Sequence, residues 1–68
     1  MKITVNGKKY IFDKKLTILT LLKELNLDNK PIVVEYNRDI IIKENYPSIN
    51  LSDGDNLELI TFVGGGWF

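Results

Sequence analysis

One short helical pattern lies between segments of β type, and this feature most limits what the chain can fold into. In "TILTLLKELNL", apolar residues recur at i, i+3, i+4 and i+7, as on the buried face of an amphipathic helix. The stripe consists of Ile18, Leu21, Leu22 and Leu25. Thr17 is a suitable N-cap, and Asp28, Asn29 and Pro31 favour a turn afterwards. Since this is the only helical pattern in 68 residues, the rest of the core must come from a sheet.

The segment before the helix predicts a β-hairpin. "KITVN" alternates polar and apolar residues, and "KKYIF" follows it after Asn6-Gly7. Asn and Gly both tolerate positive φ, so this dipeptide favours a tight hairpin turn. We therefore expect two antiparallel strands before the helix.

Three further strands are predicted after the helix. "IVVEYN" and "IIIK" flank the turn "NRD", and "NLELITF" is the last strand. We expect irregular structure in "ENYPSINL" because of Pro47, and positive φ at Gly54 in the turn "SDGD". The order β-β-α-β-β-β predicts an α+β fold of the β-grasp (ubiquitin-like) type. It consists of a mixed sheet of about five strands with one main helix across one face.

Composition argues against several classes of function. The nine basic and nine acidic residues are interspersed, which argues against a nucleic-acid-binding surface. No apolar stretch is long enough to span a bilayer, and the first residues lack a signal-peptide core, so we expect a cytoplasmic protein without a membrane partner. The chain has no Cys and no His, so the usual nucleophiles, soft metal ligands and neutral-pH base are missing. We therefore expect no bound metal or cofactor and no enzyme activity of its own.

The segment "TFVGGGWF" combines three glycines with two aromatic residues. Ordering glycine loses more conformational freedom than ordering any other residue, so a glycine run indicates that a bare backbone is needed. We therefore expect a β-grasp domain over residues 1–62 and a flexible tail over residues 63–68, with a Gly-Gly pair and a Trp-Phe extension.

Taken together, these segments resemble the ThiS family of sulfur carriers in thiamin biosynthesis, part of the ThiS/MoaD ubiquitin-like superfamily. The resemblance is carried in order by the Asn-Gly hairpin, "TILTLLKELNL", "IVVEYNRDIIIKENY", the "DGD" turn and "ELITFVGGG". It implies that a ThiF-type adenylyltransferase uses ATP to adenylate a C-terminal glycine, and that sulfur then replaces the adenylate to leave a thiocarboxylate. It also implies that thiazole synthase (ThiG) receives this sulfur.

Matched to this family pattern, Gly66 is the attachment residue for the adenylate and the sulfur. Val63, Gly64 and Gly65 are then the part of the tail that enters the partner's channel. Trp67 and Phe68 depart from the pattern, in which the chain ends at the glycine pair. We interpret them as an extension that a processing protease removes; the alternative is an accidental extension. For the three glycines, the alternative is the remnant of a flexible linker.

Alternation along the last strand predicts a surface for binding partners. Leu57 and Leu59 should face the helix, and Glu58, Ile60 and Phe62 should face outward. Exposed apolar side chains on one strand face are typical of an interface. The outward set is therefore the predicted partner-binding surface.

Three other functions fit parts of the sequence. A carrier for molybdopterin or another sulfur-transfer pathway would share the fold and the glycine tail. A β-grasp binding module would share the fold without the tail chemistry. An enzyme could use Asp53, Asp55 and Glu58, but "DGD" lacks the additional oxygen ligands of a calcium loop, so we interpret it as a turn.

Overall fold

A computed structural model describes residues 1–61 of the chain. Its elements are β1 (Lys2–Val5), β2 (Lys8–Ile11), α1 (Ile18–Glu24), β3 (Ile32–Tyr36), β4 (Asp39–Ile41), a 3₁₀ helix (Lys43–Asn45) and β5 (Asn56–Thr61). The strands form one sheet in the order β2-β1-β5-β3-β4, with β1 and β5 parallel and the other neighbours antiparallel. This is the predicted β-grasp arrangement. The predicted domain boundary and the tail lie outside the described residues.

The core lies between α1 and one face of the sheet. The helix contributes three fully buried side chains, Ile18, Leu21 and Leu22. The sheet contributes Ile3, Val5, Val34, Leu57 and Leu59. The predicted inward orientation of Leu57 and Leu59 is therefore confirmed.

Both ends of α1 are closed by hydrogen bonds that the local sequence supplies. The Thr17 hydroxyl accepts from the Thr20 backbone N–H at 3.1 Å, and the Thr20 hydroxyl accepts from the Thr17 N–H at 2.7 Å, which forms a capping box. At the other end Asn26 has a φ of 60°, and the Leu27 N–H donates to the Leu22 carbonyl at 2.8 Å. This is a Schellman-type ending. The helix therefore ends because of Asn26, before the Asp28–Pro31 turn that was predicted to end it.

Each hairpin contains a two-residue turn with positive φ at both positions. Asn6 and Gly7 have φ of 52° and 79°, and Asn37 and Arg38 have φ of 47° and 76°. Such turns match the right-handed twist of the paired strands. The Asn-Gly hairpin is confirmed, and the second hairpin turns at Asn37-Arg38.

The prediction for the segment after the second turn was wrong in two details. The strand is Asp39–Ile41 rather than residues 40–43, because the two-residue turn places Asp39 directly opposite Tyr36. Lys43–Asn45 forms a 3₁₀ helix, partly within the segment that was expected to be irregular. Pro47 follows that helix after its last turn, so it does not interrupt the hydrogen bonds.

The "SDGD" turn, which precedes β5 in the chain, is joined to the start of β1 by hydrogen bonds. Gly54 has a φ of 90°, as predicted, and its N–H donates to the Lys2 carbonyl at 2.7 Å. The Lys2 N–H in turn donates to Asp53 Oδ1 at 2.6 Å. The turn thereby sets the register at which β5 enters the sheet beside β1.

Candidate functional site: the outward sheet face and the end of β5

The last strand, β5, is the central strand of the sheet and leads directly into the glycine segment. Its last residue, Thr61, lies opposite Ile32 at the start of β3. Gly66 lies five positions further along the sequence. The other predicted site residues lie outside the described residues, and their roles remain predictions. They are Phe62, Val63, Gly64, Gly65, Gly66, Trp67 and Phe68.

The outward face of β5 has the predicted orientation. Glu58 is partly buried and Ile60 is 47% exposed, whereas Leu57 and Leu59 point into the core. Ile60 lies opposite Val33 on β3. The sheet therefore presents an apolar side chain near the end of β5.

Two isoleucines that are not among the predicted site residues enlarge this surface. Ile40 is 62% exposed and Ile42 is 57% exposed, whereas Ile41 between them packs against the core. Val34 lies opposite Ile41, so the backbone beside Val33 is that of Ile42. We call Val33, Ile40, Ile42 and Ile60 the apolar surface. In the sequence, three consecutive isoleucines show no alternation, so their orientations were not evident.

Two carboxylates adjoin the apolar surface. Glu58 lies directly opposite Glu35 in the register of β5 and β3. Like charges in directly opposed strand positions destabilise a sheet. Within residues 1–61 the one ion pair is Lys14–Glu24, at 3.0 Å, so neither Glu35 nor Glu58 is neutralised by a basic side chain of the described part. A basic group of a partner would relieve this repulsion.

The aspartates of the "SDGD" turn serve the fold. Asp53 accepts a hydrogen bond from the Lys2 backbone, as described above. Asp55 is 9% exposed and accepts from the Ser52 N–H at 2.7 Å, the Tyr36 hydroxyl at 2.8 Å and Asn37 Nδ2 at 3.2 Å. Burial, followed by the hydrogen bond to Asp55 and its charge, raises the pKa of Tyr36 above its ordinary value. Both carboxylates are thus occupied by donors of the fold, which leaves the carboxylate-enzyme alternative without support.

A cavity of about 410 Å³ lies on the other side of the sheet, between α1 and the 3₁₀ helix. Its lining includes Leu19, Leu22, Ile32 and Tyr46, together with Lys30 and Lys43. Glu58 and Ile60, the predicted site residues within residues 1–61, do not line it. The outward sheet face and this cavity are therefore separate features.

The fold and the sequence beyond β5 define a ubiquitin-like protein whose central strand leads into a glycine-rich end. The sequence profile of the ThiS family matches residues 3–66. The chain therefore belongs to the ThiS family.

Similar proteins agree with this assignment. The sulfur carrier protein ThiS of Bacillus subtilis is 43% identical over 65 residues, which cover 94% of this chain and 98% of that protein. The crystal structure of the thiamine biosynthesis protein ThiS from Geobacter metallireducens superposes with a TM-score of 0.82 at 33% identity, covering 97% of this chain and 100% of that one. These relatives confirm the β-grasp fold and the prediction that the chain is a sulfur-carrier protein rather than an enzyme.

A longer relative contains a segment similar to this chain. The thiazole synthase of Paramagnetospirillum magneticum is 39% identical over 66 residues, which cover 97% of this chain. The chain spans only 20% of the length of that synthase. The similarity therefore concerns one segment of the synthase.

Within residues 1–61 no helix is long and apolar enough to cross a membrane.

Proposed function

We propose that this chain carries sulfur for thiazole formation in thiamin biosynthesis, as a thiocarboxylate on Gly66. The observation that carries the proposal is the ThiS-family match over residues 3–66, which ends at Gly66, whereas the sequence continues to Phe68. The Bacillus relative, named a sulfur carrier protein, supports the same role.

The proposed chemistry begins with a carboxylate, which does not react with sulfur nucleophiles until it is activated. The Gly66 carboxylate attacks the α-phosphorus of ATP on a ThiF-type adenylyltransferase, and pyrophosphate leaves. Hydrosulfide supplied by a donor then attacks the acyl carbon, and AMP leaves with one oxygen of the original carboxylate. Loss of the proton on sulfur gives the thiocarboxylate, in which sulfur replaces that oxygen. ATP is thus a substrate of the partner and is not held by the carrier.

Two features of the sequence suit this chemistry. Residues without Cβ let the backbone pass through a narrow channel to the nucleotide, and three consecutive glycines precede Trp67. The chain also has no cysteine, so no thiol of the carrier can capture its own activated acyl group.

The proposed recipient of the sulfur is thiazole synthase (ThiG). The thiazole synthase of P. magneticum contains a segment similar to this chain, which supports a functional connection between the two activities. We propose that the apolar surface, with Glu35 and Glu58 beside it, docks the adenylating partner. A partner that combines an apolar patch with a Lys or Arg would cover the apolar side chains and neutralise the paired carboxylates.

The proposal requires Gly66 to become the terminal residue. A processing protease would remove Trp67 and Phe68, because the adenylated group must be a carboxylate of Gly66. Until then the two aromatic residues would keep the carrier inactive.

Intact-mass spectrometry tests the proposal directly. Two forms of the chain, one complete and one ending at Gly66, are incubated with a ThiF-type partner, ATP and a sulfur donor. We expect the shorter form to gain first an adenylate and then one sulfur in place of one oxygen, and the complete form to remain unchanged.

The matched control is Gly66→Val in the shorter form, which adds a branched side chain but retains the carboxylate. It should melt at nearly the same temperature as its parent and should not react. If the shorter form with Gly66 does not react either, a binding module without tail chemistry becomes the better description. Sulfur found on the complete form would contradict the processing step alone.

A further inference from the structure

Two asparagines bind the backbone of β5 near its opposite ends. Asn6 and Asn37 are each the first residue of a two-residue turn, with φ of 52° and 47°. Asn37 Oδ1 accepts from the N–H of Asn56, the first residue of β5, at 2.9 Å. Asn6 Oδ1 accepts from the Leu59 N–H at 2.7 Å, and Asn6 Nδ2 donates to the Leu59 carbonyl at 3.2 Å. Only Asn6 therefore acts on the part of β5 that leads toward the tail.

The Asn6 side chain continues the hydrogen-bond ladder between β1 and β5. The Thr4 N–H donates to the Asp55 carbonyl and the Asn6 N–H donates to the Leu57 carbonyl, both at 2.9 Å. The next residue of β5 facing this way is Leu59, but the first strand has already turned at Asn6-Gly7. The side-chain amide of Asn6 donates one hydrogen bond to Leu59 and accepts one from it, as the backbone of a longer β1 would. The two hydrogen bonds between the Asn6 side chain and the Leu59 backbone therefore act as one more rung of the ladder, and we call them the rung.

We infer that Asn6 is a positioning residue for delivery of the tail, an inference that rests on the proposed function. Beyond Leu57 the backbone of β5 is held on one side by β3 and on the other by this side chain. The rung thus fixes Leu59, which lies two positions before Thr61 and seven before Gly66. A partner that binds the tail then meets a strand that is already ordered up to its end.

Loss of the rung should weaken productive binding rather than slow the chemistry. If one additional backbone residue must be ordered on binding, the apparent affinity falls by a factor of about 5 to 30. The reacting carboxylate is unchanged, so the rate at saturating carrier should stay the same. The expected signature is a higher KM for the carrier at constant kcat.

Asn37 offers a matched control within the same chain. It has the same residue type and the same turn position, and its Oδ1 likewise accepts from an N–H of β5, but at the start of the strand. Its Nδ2 donates to Asp55 rather than to β5, so Asn37→Gly removes that bond as well. A purely structural role for Asn6 predicts that removal of either asparagine side chain changes the KM for the carrier equally. A positioning role predicts that only Asn6 affects delivery.

The experiment compares Asn6→Gly, Asn6→Asp and Asn37→Gly. Glycine retains the positive φ that each turn requires while removing the side chain. Aspartate retains the Oδ1 acceptor but places a second acceptor oxygen against the Leu59 carbonyl in place of the donor. Hydrogen exchange of the Leu59 amide is measured in the complete chain. Steady-state adenylation is measured in the chain ending at Gly66, which retains every residue of the described fold.

We expect both glycine variants to melt at lower temperature. Only the Asn6 variants should show faster exchange at Leu59 and a KM raised by about 5- to 30-fold, with kcat unchanged. Equal changes of KM in Asn6→Gly and Asn37→Gly, or no change in either, would overturn the inference. If the parent chain ending at Gly66 is not adenylated, the proposed function fails and the delivery role fails with it. The Leu59 exchange rate then shows separately whether the rung exists.

Discussion

At the scale of single residues, the buried carboxylate of Asp55 organises the start of β5. Its three donors come from the Ser52 backbone, the Tyr36 hydroxyl and the Asn37 amide, and they connect the "SDGD" turn to the end of β3. A buried carboxylate is tolerated only when donors of this kind replace its water. Within residues 1–61 no buried side-chain polar atom lacks a hydrogen-bond partner. Asp55 therefore contributes to stability through the groups it binds.

Tyr36→Phe should destabilise the fold, because it removes one donor from Asp55 and adds nothing in its place. Hydrogen bonds to charged groups contribute about 1.5–3 kcal/mol to the free energy of unfolding, which sets the expected loss at pH 7. Urea unfolding measures it. Tyr10→Phe is the control, since the Tyr10 hydroxyl has no hydrogen bond to another group of residues 1–61. A similar loss in both variants would assign the effect to removal of a tyrosine hydroxyl in general rather than to the bond with Asp55.

The same hydroxyl predicts how stability depends on alkaline pH. Burial and Asp55 raise the pKa of Tyr36 in the folded state, and burial raises the pKa of Tyr46. Because these pKa values are raised in the folded state, the stability that the neutral hydroxyls contribute is complete below the unfolded pKa of about 10. That stability is lost as the pH rises through the folded pKa. The free energy of unfolding should therefore fall above about pH 10, and less steeply in Tyr36→Phe than in the parent chain. Parallel pH profiles for the two proteins would contradict this.

At the scale of elements, α1 is shorter than a helix that is stable by itself. It spans seven residues, whereas isolated helices below about 12–15 residues are marginal in water. The capping box of Thr17 and Thr20 and the αL residue Asn26 satisfy backbone groups at the two ends. These caps define where the helix begins and ends, and packing against the sheet supplies most of its stability.

Leu22→Ala tests that packing. Leu22 is 1% exposed, and its carbonyl accepts the hydrogen bond from the Leu27 N–H that closes the helix. Removal of a buried leucine side chain costs about 2–5 kcal/mol, depending on how far the cavity collapses. Lys23→Ala, at an exposed position of the same helix, should change the free energy of unfolding by less than about 0.5 kcal/mol. A thermal midpoint of Leu22→Ala equal to that of the parent would exclude the leucine stripe from the core.

The elements that could be predicted are those with a local cause. The helix follows from its stripe and its N-cap Thr17, the first hairpin from Asn-Gly, and the positive φ of Gly54 from its turn. The bounds of β4 were misjudged because "DIIIK" has no alternation and because Arg38, a residue without a turn preference, takes positive φ. The roles of Asn6 and Asp55 depend on partners far along the chain, 53 positions from Asn6 to Leu59 and 19 from Tyr36 to Asp55. No pattern within a short window of sequence contains that information.

At the scale of the whole molecule, a net charge of zero conceals an uneven outward face. Ile3 on β1 is buried, so Lys2 points outward, and Lys9 on β2 lies opposite the outward Thr4. The β1–β2 half of this face is thus basic, whereas the β5–β3 half carries Glu35 and Glu58. Such a distribution favours one orientation of a partner over others and makes association depend on salt. The apolar surface lies on the acidic half, beside the end of β5.

Ile60→Asp is therefore the substitution that best tests this face as the docking site. Ile60 is 47% exposed, so the change should leave the fold intact while placing a charge at the β5 side of the apolar surface, directly opposite Val33. We expect binding to a ThiF-type partner, measured by calorimetry, to weaken at least about fivefold, the lower limit for a residue that matters at an interface.

Ile11→Asp provides the control for that substitution. Ile11 is the more exposed side chain, at 77%, and lies opposite Lys2 on the basic half of the same sheet face. If adding an acidic residue anywhere on this face weakened binding to the partner, both variants would bind more weakly. Docking through the apolar surface predicts instead that Ile11→Asp binds like the parent chain. Ile40→Asp should behave like Ile60→Asp, because Ile40 belongs to the apolar surface although it lies on a different strand. Normal binding by both Ile40→Asp and Ile60→Asp would place the partner elsewhere on the molecule, and the tail would then have to be reached from another side of the sheet.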